Sequence, residues 1–470
     1  MKNQLIKKGL ALLLLISLSL SLAACGGENV STEPSASGAA GSSAVPPETM
    51  IRPTEPDILP TEPAVPASQP DGPAIIGKAE AADLMEDFTA ETVPGRKIDE
   101  AFRLNLLRFT ADIFREVYGR DAGNKTTLVS PLSILNALTM TANGAREETL
   151  KEMEAVLAGA DLTLDDLNAY LHTYLNALPS SQNASFAFAN SIWFRDTAGF
   201  TVERDFLQKN VNYYNAGVYK APFDGTTVRD INQWVETNTH GMIPKILDSL
   251  SAEDMMMLIN ALVFEAKWAS PFPNHVIQEE LFTCLDGTQI PAFQMYGTEH
   301  CFLSDDTCTG FMKDYKEGYR FVALLPNEGV DLDSFIASLS AEKLNGLLTK
   351  QQGIKTYIKL PKFSYDFSQA LNEALEALGM ERAFSGAAQF EGISRDLPLA
   401  IAGVVHMTHI DVDNEGTRAA AVTAVTMAAT AMPGPEETRE VWLDRPFVYM
   451  IIDSVNNLPI FIGSVTEPGE

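Results

Sequence analysis

The chain predicts an α+β domain built on large sheets. Amphipathic helical stripes dominate the first half of its apolar sequence and β-rich runs gather in the second. No linker, repeat or composition break divides residues 97–470. That span is long for one hydrophobic core, but with nothing to mark a second boundary it is expected to form a single domain.

Residues 1–24 come first. Lys2, Lys7 and Lys8 precede an apolar run that ends in small residues, the layout of a secretory signal too short to count as a membrane-spanning helix. Leu22-Ala23-Ala24-Cys25 resembles a bacterial lipobox. That resemblance implies lipid modification of Cys25, and a protein anchored to the cell surface or the periplasmic face of a bacterial membrane. Residues 25–96 are rich in Ser, Thr, Pro, Glu, Ala and Gly, with almost no aromatics. Such a segment buries too little apolar surface to offset its chain entropy, so a disordered tether is expected.

The folded region opens with an amphipathic helix over 98–118, whose stripe is Phe102, Leu106, Phe109, Ile113 and Val117. A second helix over 133–143 is apolar enough to be buried. Strands are expected over 185–194, 257–264, 320–325, 356–360, 447–452 and 460–465, all short β-rich apolar runs. Residues 413–431 behave differently. Counting in twos, Thr417, Ala419, Ala421, Thr423, Val425 and Met427 form a face that is small or apolar throughout. The other face carries the only charge, Arg418. Glu415-Gly416 gives a flexible joint before this stretch, and Pro433-Gly434-Pro435 blocks a ladder after it. The pattern suits a loop able to become a strand; an Ala-rich helix or linker is the alternative.

Composition removes several functions. A formal net charge of −28 argues against a basic face for nucleic acid or anionic lipid. After Cys25 only Cys284, Cys301 and Cys308 remain, an odd number that excludes a disulfide framework. Cys301 and Cys308 flank Ser304-Asp305 across a candidate hairpin, and free thiols are expected there rather than a bridge. There is no CxxC or HExxH spacing for zinc and no GxSxG elbow for a hydrolase. Neither a metal, a cofactor nor an enzyme activity is expected.

Several motifs then occur in a fixed order. They are Leu128-Val129-Ser130-Pro131-Leu132-Ser133, Ala189-Asn190-Ser191-Ile192-Trp193-Phe194, Ile231-Asn232-Gln233-Trp234-Val235, Asn260-Ala261 with Phe264 and Trp268, Leu360-Pro361-Lys362-Phe363, Asp444-Arg445-Pro446-Phe447 and Phe461-Ile462-Gly463. Together they resemble the serpin family across essentially all of 100–468. The resemblance implies three β-sheets, eight or nine α-helices and an exposed reactive-centre loop. It implies a monomer that traps a serine protease as a covalent acyl complex, without a cofactor, by inserting the cleaved loop into the main sheet. A non-inhibitory binding or chaperone-like role is the alternative.

The same resemblance assigns residues. Asn414, Glu415, Gly416, Thr417, Arg418, Ala419, Ala420 and Ala421 match the hinge, with Asn414 standing where the family usually has glutamate. Ser130, Ser133, Asn260 and His406 match the polar cluster that governs sheet opening, and Trp268 matches the point where insertion begins. The usual hinge-to-cleavage distance places the reactive bond at Thr430-Ala431. The loop is about five residues longer than usual, which leaves Met427-Ala428 and Ala429-Thr430 open. No Arg or Lys stands at the expected position, so an elastase- or subtilisin-like target fits better than a trypsin-like one.

Overall fold

The computed structural model describes residues 80–121, 125–214, 216–251, 253–417 and 437–469. Among the described residues there are nine α-helices: α1 (Glu100–Arg120), α2 (Pro131–Ala142), α3 (Glu147–Leu157), α4 (Leu164–Ala177), α5 (Arg204–Tyr214), α6 (Gly225–Asn238), α7 (Leu332–Ala337), α8 (Ala341–Thr349) and α9 (Asn372–Ala377). The strands of the first half are β1 (Ala82–Asp83), β2 (Leu128–Val129), β3 (Ala184–Arg195), β4 (Gly217–Ala221), β5 (Met256–Lys267), β6 (Ile277–Thr283) and β7 (Gln289–Glu299). Then come β8 (Phe302–Ser304), β9 (Cys308–Asp314), β10 (Tyr319–Pro326), β11 (Lys355–Pro361), β12 (Phe363–Ala370) and β13 (Gly403–Val412). The last four are β14 (Gly416–Thr417), β15 (Thr438–Trp442), β16 (Phe447–Asp453) and β17 (Leu458–Val465).

These strands form three sheets: β1-β4-β3-β5-β14-β13-β12, then β2-β17-β16-β10-β9-β8, then β15-β11-β7-β6. The expected α+β class with three sheets is what is observed. The predicted helices and strands appear with ends moved by at most three residues.

Local chemistry accounts for the helix ends. Asp99 caps α1 by accepting from the Phe102 N–H, and Phe102, Leu106, Phe109, Ile113 and Val117 are all fully buried. Ser130 caps α2 by accepting from the Ser133 N–H, with Pro131 in the first turn. Every residue of α2 is buried, because it packs between β5 of the large sheet and β17 of the second. The large sheet is covered on both faces. Leu258, Leu262 and Phe264 of β5 turn to the main core, while Met257, Ile259, Ala261 and Val263 turn to Ile231 and Val235 of α6. Burial on both sides explains why β5 reads as an apolar run, broken only by Asn260 before Glu265, rather than an alternating one.

Two expectations change. Residues 80–96 fall in the expected tether, but they lie on the folded body. β1 pairs antiparallel with β4, the Glu80 and Ala81 N–H groups donate to Asp230 Oδ2 at 2.9 and 3.2 Å, and Leu84 N–H donates to the Val218 carbonyl. Second, Cys301 and Cys308 do not oppose each other: the β8–β9 register pairs Phe302 with Phe311, so Cys301 lies by Met312. All three described cysteines are free thiols.

Candidate functional site

The site lies where β5 and β13 part. The two strands pair in parallel from Met257 with Gly403 to Val263 with His409, and beyond that point β14 sits between them. Gly416 is registered with Lys267, and Thr417 with both Ala266 and Val412. A side chain at 416 would not fit, since a Cβ there would lie 2.1 Å from the Ala266 carbonyl oxygen. Glycine is therefore required by close backbone approach. Thr417 is fully buried, and its hydroxyl is 2.6 Å from that of Tyr315. It is the first member of the small, apolar face read from the sequence, and it points inward.

A turn at 413–416 delivers the hinge. Asp413 Oδ1 accepts from the N–H groups of Glu415 and Gly416 at 2.7 and 3.1 Å, and Asp413 N–H donates to the Gly416 carbonyl at 2.9 Å. Trp268, fully buried, donates Nε1–H to the Asp413 carbonyl at 2.8 Å and stacks on Tyr315 at 4.3 Å between centroids. Backbone N–H groups of Trp268 and Phe272 hold the Glu415 and Asn414 carbonyls, both at 2.9 Å. Asn414 Oδ1 accepts from Lys362 Nζ at 2.6 Å. Burial pushes the Tyr315 phenol far above its ordinary value, so this hydroxyl stays protonated.

Lower in the same sheet a polar row crosses three strands. Asn190 on β3 is registered with Asn260 on β5, and Asn260 with His406 on β13. Asn260 Nδ2 donates to the Ser133 carbonyl at 3.0 Å, to Ser133 Oγ at 2.6 Å, and to Asn190 Oδ1. His406 accepts the Ser130 N–H at Nε2, 3.1 Å away, and its Nδ1 donates to Asn260 Oδ1. With Nε2 an acceptor the ring is neutral, and complete burial lowers its pKa to about 3. Asn190 Nδ2 is buried without a hydrogen-bond partner among the described residues, a local cost of about 1–3 kcal/mol. The row is therefore a latch between β5 and β13, closed by one direct side-chain bond between the strands and braced by the N-terminus of α2.

The structure brings Ser130, Ser133, Asn260 and His406 together, and separately brings Trp268 together with Asn414, Glu415, Gly416 and Thr417. Arg418, Ala419, Ala420, Ala421, Thr430, Ala431 and Cys25 lie outside the described residues. Sequence reasoning missed Asn190, Tyr315 and Lys362. Asn190 carried a signal, a polar side chain on the inward register of an apolar strand. Tyr315 and Lys362 carried none, because only the sheet geometry brings them to the hinge.

Comparisons with known proteins agree with this geometry. A family model described as serpin (serine protease inhibitor) matches residues 105–468. An uncharacterised serpin-like protein of Thermococcus kodakarensis is 32% identical over 369 residues, covering 77% of this chain and 84% of that one. Alpha-1-antiproteinase F of Cavia porcellus is 27% identical over 399 residues, covering 82% and 94%. Among solved structures, the thermophilic serpin tengpin in its native state superposes with a TM-score of 0.78 at 40% identity, covering 83% of this chain and all of that one.

Proposed function

Because the chain belongs to the serpin family, whose members are in general protease inhibitors, we propose that it is a suicide substrate for an extracellular serine protease. The observation that carries this reading is the hinge. Gly416-Thr417 already forms a short strand between β5 and β13, with Thr417 facing inward. The residues that would follow inward, counting in twos, are Ala419, Ala421, Thr423, Val425 and Met427, none charged or cyclic. A loop of this composition can pass between closely spaced strands and fill the sheet.

The protease attacks the scissile carbonyl, at Thr430-Ala431 by the family's spacing, and forms an acyl-enzyme. The freed arm then extends β14 down the sheet and carries the bound enzyme with it. Deacylation needs catalytic groups held to a fraction of an ångström, so distortion of the enzyme stalls it. Roughly a dozen inserting residues hydrogen-bonded on both sides, at about 1 kcal/mol net per bond, supply on the order of 10–20 kcal/mol. That rivals the folding free energy of a domain, so the uncleaved state is held by a kinetic barrier. The small side chains around the bond suit a shallow apolar specificity pocket, as in elastase- or subtilisin-like enzymes. Lipidated Cys25 would hold the inhibitor at a bacterial membrane surface.

Incubating the purified protein with elastases and subtilisin tests the reading. A covalent adduct that survives SDS, with a new N-terminus at Ala431 or within a few residues of it, is expected. Cleavage of the loop without any adduct overturns it and favours a non-inhibitory binding role.

A further inference from the structure

A cavity of about 480 Å³ lies beside the hinge, between the β6–β7 end of the third sheet and the tops of β12 and β13. Its lining includes the apolar side chains of Pro291, Phe293 and Phe363 and the charged side chains of Glu279, Asp411, Asp413 and Lys362. The volume falls in the range of small-ligand sites, which join an apolar surface to a few convergent polar groups. We propose that this cavity binds a small amphipathic cation, an aromatic or aliphatic amine, and that its occupant bears on the hinge.

Charge selects the ligand. Three carboxylates and one ammonium border the space, which leaves it net negative, although Lys362 is bonded to Asn414 Oδ1 at 2.6 Å and Asp413 Oδ1 accepts from the Glu415 and Gly416 N–H groups. The Glu279 carboxylate makes no hydrogen bond or ion pair among the described residues. The β6–β7 register places Glu279 directly opposite Phe293, a residue that is 57% exposed. A carboxylate beside a partly exposed aromatic ring is the pairing that receives an ammonium group: the ring face and the anion attract it together, while the apolar body covers Pro291 and Phe363. An anionic ligand of the same shape would meet the carboxylates instead.

The hinge adjoins the cavity through Asp413 and Lys362. Asp413 caps the turn that seats Gly416 and accepts from Trp268, and Lys362 holds Asn414. An occupant touching both therefore contacts the chain where the loop enters the sheet. This coupling, though not the binding itself, rests on the function proposed above.

Calorimetric titration of the intact protein with phenethylammonium, 3-phenylpropionate and 2-phenylethanol tests the site. The ammonium probe is expected to bind in the millimolar range and at least about tenfold more tightly than the carboxylate probe, with an advantage that shrinks as salt is raised. Phe293→Ser and Glu279→Gln, both at exposed positions that leave the fold intact, are each expected to weaken it about fivefold. Equal affinity for all three probes, no binding at all, or binding unchanged in Phe293→Ser overturns the proposal. Heat-driven conversion to the loop-inserted monomer, timed with and without the bound amine, tests the coupling; an unchanged rate removes it. Protease trapping without amine binding would sink the cavity site alone, whereas amine binding without trapping would sink the inhibitory reading alone.

Discussion

Thr417 and His406 are the two side chains on which the hinge and the latch turn. Thr417 is fully buried against Tyr315, so Thr417→Arg would require burial of an unpaired charge during insertion. The fold should survive, because the hinge can withdraw, but the loop should be cut without a covalent adduct. Gel assay against the cognate protease checks this; undiminished adduct would contradict it. His406 has its pKa lowered to about 3 by burial, against 6.5 in the unfolded chain. Its neutral form is therefore the folded one. The stability that depends on this neutrality is complete above about pH 6.5 and is lost as the pH falls toward 3, at up to about 1.4 kcal/mol per unit. Acid between pH 6.5 and 5 should thus speed opening of the large sheet in the parent protein, and His406→Gln should flatten that dependence. Native gels after mild heating at each pH would report it. Asn260→Ala removes the donor to Ser133 and the acceptor for His406. A loss of about 1–3 kcal/mol and more latent or polymeric protein on the same gels are expected.

Element by element, the sequence is most legible where local chemistry and burial agree. The stripe of α1, the Ser130 cap of α2 and the apolar run of β5, interrupted only by Asn260 before Glu265, each announce an element because the same residues satisfy backbone groups and fill the core. The short strand β1 is the opposite case. Its two residues are exposed and neither is strongly β-forming; it exists because Asp230 of α6 receives the Glu80 and Ala81 N–H groups and β4 offers a free edge. That is tertiary information, absent from the local pattern. Asp230→Ala should cost about 1 kcal/mol and make residues 80–96 an early site of limited proteolysis, a change that leaves β5 untouched. At the hinge Gly416 stood out in the sequence as a flexible joint, whereas the reason for that glycine, the Ala266 carbonyl, is tertiary. Register adds a forecast for the inserted arm. Asn260 lies six residues before Ala266 and His406 six before Val412, so an extended β14 brings Thr423, six beyond Thr417, between them. Thr423→Val should spare the uncleaved protein but lower the cleaved form's stability by about 1–3 kcal/mol, measured by denaturant unfolding.

At the scale of the whole molecule, the proposed mechanism makes the uncleaved and cleaved states differ in one strand. In the uncleaved state β5 and β13 pair directly below Thr417 in a ladder crossed by a row of buried polar groups, in which Asn190 Nδ2 has no partner among the described residues. Inserting the arm replaces that seam with two new ladders, which is where the proposed trapping energy resides. The most direct test is the thermal unfolding midpoint before and after a single cut within 427–431. Stored energy of 10–20 kcal/mol in a domain this large predicts a rise of about 13–25 °C on cutting. An unchanged midpoint would mean that the arm gains nothing by entering the sheet, and the inhibitory mechanism would have no driving force.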